Sequence, residues 1–182
     1  MIPIGIPPYT RIMNRLDQIA EQIQQNSQPP VHLWAPEAEG EIDIHIDSRG
    51  AWFHEGDMIK RESLVALFAS ILWGEEGVHY LVTPIEKLKI KVDDVPFVVN
   101  QMEAVGDAWV ATTNVHEQVI IGSNHRVELR QYKDQWIPYV NVRYDLWARV
   151  NRSIYYQWVE TALEQDSLTL SSVGYEFLVA RA

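Results

Sequence analysis

The stretch IDIHIDSRGAWFHEGDMIKRESLVALFASIL, residues 42–72, decides the fold, because its hydrophobic period changes once along its length. Ile42, Ile44 and Ile46 alternate with Asp43, His45 and Asp47. A period of two places the isoleucines on one face of a strand and the polar residues on the other. SRG then signals a turn, and AWFHEG opens a second strand, so the pair reads as a hairpin. Over residues 61–73, Leu64, Leu67, Phe68, Ile71 and Leu72 recur at helical spacing, and GEEG ends the helix. VHYLVTP follows as a short strand that breaks at Pro84.

The same succession returns in residues 138–163, PYVNVRYDLWARVNRSIYYQWVETAL, followed after a loop by VGYEFLVA. Trp52 corresponds to Trp147, LVALF to IYYQWV, and His79-Tyr80-Leu81-Val82 to Glu176-Phe177-Leu178-Val179. The order of elements agrees as well as the letters, which predicts an α+β protein of two repeated halves with mostly antiparallel sheets. The two copies also decide how to read Asp43, His45 and Asp47. Their spacing resembles a metal-binding edge, yet the matching face of the second copy carries Tyr139, Asn141 and Arg143. The alternation persists while the ligand chemistry vanishes, so the stripe reads as a solvated strand face. No metal and no cofactor is expected; His54, across the hairpin from His45, is the one neighbour that would favour a metal.

Residues 9–25 read as a further helix, with Ile12, Leu16, Ile19 and Ile23 on one face and Pro29 and Pro30 stopping it. Residues 97–105, 108–113, 118–122, 127–132 and 138–142 read as strands, separated by the turn clusters VGD, TNVHE, GSNH and YKDQ. Residues 153–163 read as a helix. The organisation predicted is an N-terminal helical arm over residues 1–30 and two repeat-containing domains over 31–97 and 98–182.

In 182 residues, 25 acidic groups against 15 basic ones leave a net charge of −10. That field opposes phosphate backbones, so no nucleic-acid partner is expected. Cysteine is absent, which excludes disulfides, thiolate catalysis, zinc fingers and iron–sulfur clusters. No apolar run has the length of a membrane span, and the N-terminus lacks the pattern of a signal peptide, so the expected setting is the cytoplasm, away from membranes.

The sequence has no GxSxG elbow, HExxH, P-loop or GxGxxG after a strand, which weighs against an enzyme. The densest polar region is TPIEKLKIKVDDVPF, residues 83–97, taken with Thr112-Thr113-Asn114 and with VRYDLWAR, residues 142–149. Lys87, Arg143 and Arg149 are candidates to bind a small polar or anionic ligand, with Glu86 and Asp94 orienting them. The competing reading is a set of structural ion pairs and turn-capping bonds. Two other classes stay open: a protein-interaction module using Trp73, Trp109 and the N-terminal helix, and a hydrolase with Asp94 or His125 as base.

LVTPIEKLKIKVDDVPF, ATTN, IPYVNVRYDLWAR, PPVHLWAP and GEIDIHIDSRGAWFHEG occur in an order that resembles the bacterial domain-of-unknown-function family 1285. The likeness runs over about residues 29–160. It implies an α+β fold of two repeated halves and a role in signalling. Carried over by position, the family's polar motif falls on Thr83, Pro84, Glu86, Lys87, Asp94, Thr113, Asn114, Arg143 and Arg149. One departure is the Val115-His116-Glu117 insertion after Asn114, where the family pattern has an acidic or small residue.

Overall fold

The computed structural model describes residues 28–182; the helix expected over residues 9–25 lies outside them. After a 3-10 turn at Val31–Leu33, the first half runs β1 (Ala38–Ile46), β2 (Trp52–His54), β3 (Asp57–Met58), α1 (Glu62–Ser70), β4 (Leu72–Glu75), β5 (Val78–Val82) and β6 (Glu86–Val92). The second runs β7 (Phe97–Val105), β8 (Ala108–Thr113), β9 (Gln118–Ile120), β10 (Val127–Tyr132), β11 (Gln135–Arg143), β12 (Leu146–Val150), α2 (Arg152–Glu164), β13 (Thr169–Ser172) and β14 (Tyr175–Leu178). Each half builds a six-stranded sheet, in the orders β3-β2-β1-β6-β5-β4 and β10-β11-β12-β7-β8-β9, and β13 pairs with β14 alone. Pairing is antiparallel except for β1 with β6 and β12 with β7. The architecture is α+β, with two similar halves.

The alternation read over residues 43–46 holds in the structure, while Asp47 is largely covered by the turn. Ile44 and Ile46 are buried while Asp43 is exposed. Asp47 closes the hairpin, its Oδ1 accepting the backbone N–H groups of Arg49 and Ala51 at 2.9 Å each. Burial pushes the Asp47 carboxyl up, but those two N–H groups and the Arg49 charge outweigh it and hold the group below its ordinary value.

Two expectations change. The helix predicted to reach residue 73 ends at Ser70, and Leu72–Glu75 is a strand paired with β5. Leu72 lies in the core in either conformation, so the apolar spacing did not distinguish them. The two tryptophans also play different parts. Trp52 packs on Phe68 of α1, ring centroids 6.2 Å apart. Trp147 turns away from α2 and joins Val95, Ile137 and Tyr139 in a small cluster of its own. The element order repeats, but the face to which the second strand presents its tryptophan does not.

One continuous core spans both halves, from Ile44, Trp52 and Leu81 to Phe97, Val140 and Trp158. Helix α2 begins where Asn151 Oδ1 accepts the Ile154 N–H at 3.0 Å, supplying one of the helix's unpaired first-turn donors with a partner. It buries Ile154, Trp158 and Ala162 at spacings of four. Trp158 meets Trp109 edge-on at 6.1 Å and Phe177 at 5.1 Å, so the last hairpin closes the second half.

Polar contacts from the second half grip the β1–β2 turn and the end of α1. Asn114 donates to Gly50 O at 3.0 Å, and Arg149 donates to Ser48 O. Arg143 Nη2 donates to Ala69 O at 2.5 Å, reaching one of the carbonyls that a helix leaves unpaired in its last turn. A cation at that end also meets the negative pole of the helix.

Candidate functional site

The predicted site residues fall in separate places. Thr83 shapes the β5–β6 turn, its Oγ1 accepting the Glu86 N–H at 3.2 Å. Pro84 lies in that turn, and Glu86 opens β6 opposite Ala38. Lys87 pairs with Glu75 rather than Glu86, Nζ to Oε2 2.9 Å, and lies 4.3 Å above the Tyr80 ring. The Lys87 ammonium pulls Glu75 down, chiefly through that hydrogen bond, and Glu75 raises Lys87 in return. The pair borders a groove of about 300 Å³ with Trp34, Pro36 and Trp73.

Arg149 pairs with Asp94, one of the two carboxylates the sequence offered to the three cations, at 2.5 Å. Tyr139 donates its hydroxyl to the same carboxylate at 3.0 Å, and burial together with the Asp94 charge pushes the phenol up. The Arg149 guanidinium lies 4.1 Å from the Tyr132 ring centroid. The Tyr139 hydroxyl also lies 3.1 Å from the other Asp94 oxygen, so the carboxylate is occupied by Arg149 and Tyr139, and it is Arg149 that reaches on to the β1–β2 turn. Thr113 is fully buried, its Oγ1 accepting the Glu117 N–H at 3.2 Å. Asn114 accepts the Val98 N–H at 3.0 Å while donating to Gly50. These two residues fix the β8–β9 loop.

Arg143 stands apart. Its neighbour is Glu117, Nη1 to Oε2 3.5 Å, with both side chains largely buried. Burial drives Arg143 down and Glu117 up from their ordinary values, and the attraction between them opposes both shifts. Nη1 is buried and has no hydrogen-bond partner among the described residues. The pair lines an open cleft of about 390 Å³ between the halves, walled by Ala66, Ala69 and Ser70 of the first and by residues 115–119, His125, Val142 and Arg143 of the second. His125 holds Asn141 O through Nδ1 at 3.1 Å. Of the predicted cations, this one alone reaches the cleft.

Glu117 escaped the sequence reading. It sits in TNVHE, which reads as a turn cluster, and it lies 26 positions from Arg143 with no periodic pattern joining them. The insertion VHE after Asn114 is the one feature that pointed to this loop. Trp109, expected as an exposed aromatic, instead packs against the core, and Trp73 donates to Glu75 at 2.8 Å. His45 pairs with Asp93 at 2.8 Å; His54 stands opposite Ile44 rather than His45. Among the described residues, no group of three or more histidine, aspartate or glutamate side chains is placed to hold a metal ion. No helix among them is long and apolar enough to cross a membrane.

Residues 29–95 match the N-terminal domain of DUF1285, described as a domain of unknown function, and residues 96–179 match the C-terminal domain of the same family. The chain belongs to the DUF1285 family. A crystal structure of a DUF1285 family protein from Silicibacter pomeroyi DSS-3 superposes with a TM-score of 0.72 at 34% identity, covering 92% of this chain and 91% of that one. A DUF1285 family protein from Shewanella baltica OS155 gives 0.53 at 25% identity, over 64% of this chain and 90% of the other. No curated protein matches the sequence.

Proposed function

We propose that this DUF1285 chain is a binding module that holds a small polar ligand in the cleft between its halves, with Arg143 as the anchor. One observation carries the reading: a guanidinium nitrogen, Arg143 Nη1, is buried beside an open cleft and lacks a hydrogen-bond partner among the described residues. Leaving a buried donor unpaired costs about 1–3 kcal/mol, more when it is charged. Glu117 Oε2 stands 3.5 Å away without bonding to it, so a ligand acceptor at this nitrogen would recover part of that energy. The ligand would touch α1 of one half and the β8–β9 loop of the other, so occupancy would stabilise their contact, which is the property a regulatory module needs.

The test is a thermal-shift screen of the full chain against small carboxylates, phosphates and amides, repeated with Arg143→Lys and with the double variant Arg143→Met/Glu117→Gln. The double variant removes both charges together and so avoids a lone buried carboxylate. Compounds that raise the melting temperature of the parent should lose their effect in the double variant. Hits that act equally on both proteins place the ligand elsewhere and end this reading.

A further inference from the structure

Helix α1 is apolar on the side that should face water. From Ser63 to Gly74 the chain carries no charged residue. A helix that is apolar all round is a buried one, yet Ala69 is the single buried residue of α1. Val65 and Phe68 pack on the core from the inner side. On the outer side Leu67 is 58% exposed, Ala66 is exposed as well, and Leu64, three positions before Leu67 on the same face, is only half-buried. Helix α2 is built differently. It buries Ile154, Trp158 and Ala162 and turns Arg152, Gln157, Glu160 and Glu164 to solvent.

The place where the described residues begin names the cover for this face. Gln28 lines the Arg143 cleft together with Ala66, Ala69 and Ser70 of α1, so residues 1–27 are tethered beside that helix. Within them Ile12, Leu16, Ile19 and Ile23 recur at spacings of four, three and four, the period of one helix face. Ile23 is five positions from Gln28, at most about 18 Å of extended chain. The end of the stripe therefore stays within reach of the cleft wall that α1 forms. Two apolar faces joined by so short a tether meet at a high effective concentration, which favours their contact over one with a separate molecule.

We propose that residues 9–25 form a helix that lies along the outer face of α1, with Ile12, Leu16, Ile19 and Ile23 turned to Leu64 and Leu67. The inference is independent of any ligand at Arg143. It makes the arm a working part of the first half and closes the outer face of α1 to a partner protein.

The chain has no cysteine, so an introduced pair supplies its only thiols. In the full chain, Leu67→Cys is combined with Ile12→Cys, Leu16→Cys, Ile19→Cys or Ile23→Cys. The controls combine it with Asn14→Cys, Asp17→Cys, Glu21→Cys or Gln24→Cys, on the other side of the stripe. A disulfide closes only where the two Cα atoms come within about 7 Å. Mild oxidation of dilute protein should close an intramolecular bond at one or two neighbouring stripe positions, about tenfold faster than at any control, whose Cβ points away. Leu67→Glu gives a second measurement that needs no thiol and changes an exposed side chain. Trypsin should cut after Arg11 and Arg15 about tenfold faster in that variant than in the parent, as the undocked population rises. A disulfide-linked dimer in place of the intramolecular bond overturns the proposal and gives the α1 face to a second copy of the chain. Equal oxidation at stripe and control positions, no oxidation at any of them, or unchanged cleavage in Leu67→Glu also overturns it.

Discussion

Asn114 and Gly50 hold the two halves together across 64 positions of chain. The Asn114 amide donates to Gly50 O at 3.0 Å and accepts from Val98 N at 3.0 Å, so one side chain joins the β1–β2 turn to β7. Gly50 has φ +82°, and a Cβ there would lie 2.6 Å from Asn114 Nδ2. Glycine is required on two counts, backbone conformation and space. Gly50→Ala should cost more than the roughly 1 kcal/mol of left-handed strain alone, because the amide must also move. Asn114→Ala should cost about 1–3 kcal/mol by leaving the Val98 N–H without its partner. Urea denaturation of both variants checks this. A neutral Gly50→Ala would show that the clasp is slack.

Arg149 is expected to be structural. Arg149→Ala strands Asp94 with only the Tyr139 hydroxyl and should destabilise by about 3 kcal/mol, the low end for a broken buried pair, since Asp94 keeps some contact with solvent. The double variant Arg149→Met/Asp94→Leu should be less damaged than Arg149→Ala, because no lone charge remains. A double variant as unstable as the single one would shift the weight to the Ser48 contact.

Trp52 and Trp147 should respond differently to a change in α1. Trp52→Ala removes a core side chain stacked on Phe68 and should cost about 3–5 kcal/mol. Trp147→Ala opens the outer cluster, where Arg130 lies 4.0 Å from its ring, and should spare α1. In a double-mutant cycle, Phe68→Ala should couple to Trp52→Ala and add independently to Trp147→Ala. Coupling of Phe68 to Trp147 would contradict the separate clusters.

Much of this was legible in the sequence. Strands β7, β8 and β10 begin and end where the alternation and the clusters VGD and GSNH put them, because a period of two and a turn signal are both local. Strand β4 was hidden inside an apolar run that suits helix and strand equally. Asp94 as a partner for one of the three cations was anticipated from residue types near strand ends, and the structure pairs it with Arg149. Glu117 as the partner of Arg143 was not, since what joins them is the packing of a loop on β11 rather than any spacing along the chain. Trp147 shows the complementary limit: letters and element order match Trp52, while the face is set by pairing in a different sheet.

His79 should make the protein sensitive to mild acid. Burial holds its imidazole below the usual 6.5, against the pull of Asp145. The unfolded chain takes up the proton first, so stability is full above about pH 6.5 and falls as the pH drops through the lower folded value. Glu117 acts with the opposite sign. Its raised carboxyl binds a proton more readily when folded, so its contribution worsens as the pH rises from 4.5. Stability measured from pH 7 to pH 5 should fall less in His79→Gln than in the parent. Parallel curves for the two would show that His79 does not titrate in this range.

Arg143 reaches Ala69 O across 74 positions, and Arg149 reaches Ser48 O across 101. During synthesis the first half therefore emerges with Ala69 O and Ser48 O lacking these guanidinium partners, and both lacks persist until β11 and β12 leave the ribosome. Contacts of such long range make folding slow, because the loop must close before the bonds form. A nascent chain arrested after β6 should accordingly be a protease-sensitive, partly ordered sheet, and the finished protein should cross from that state to the native one in a single late step.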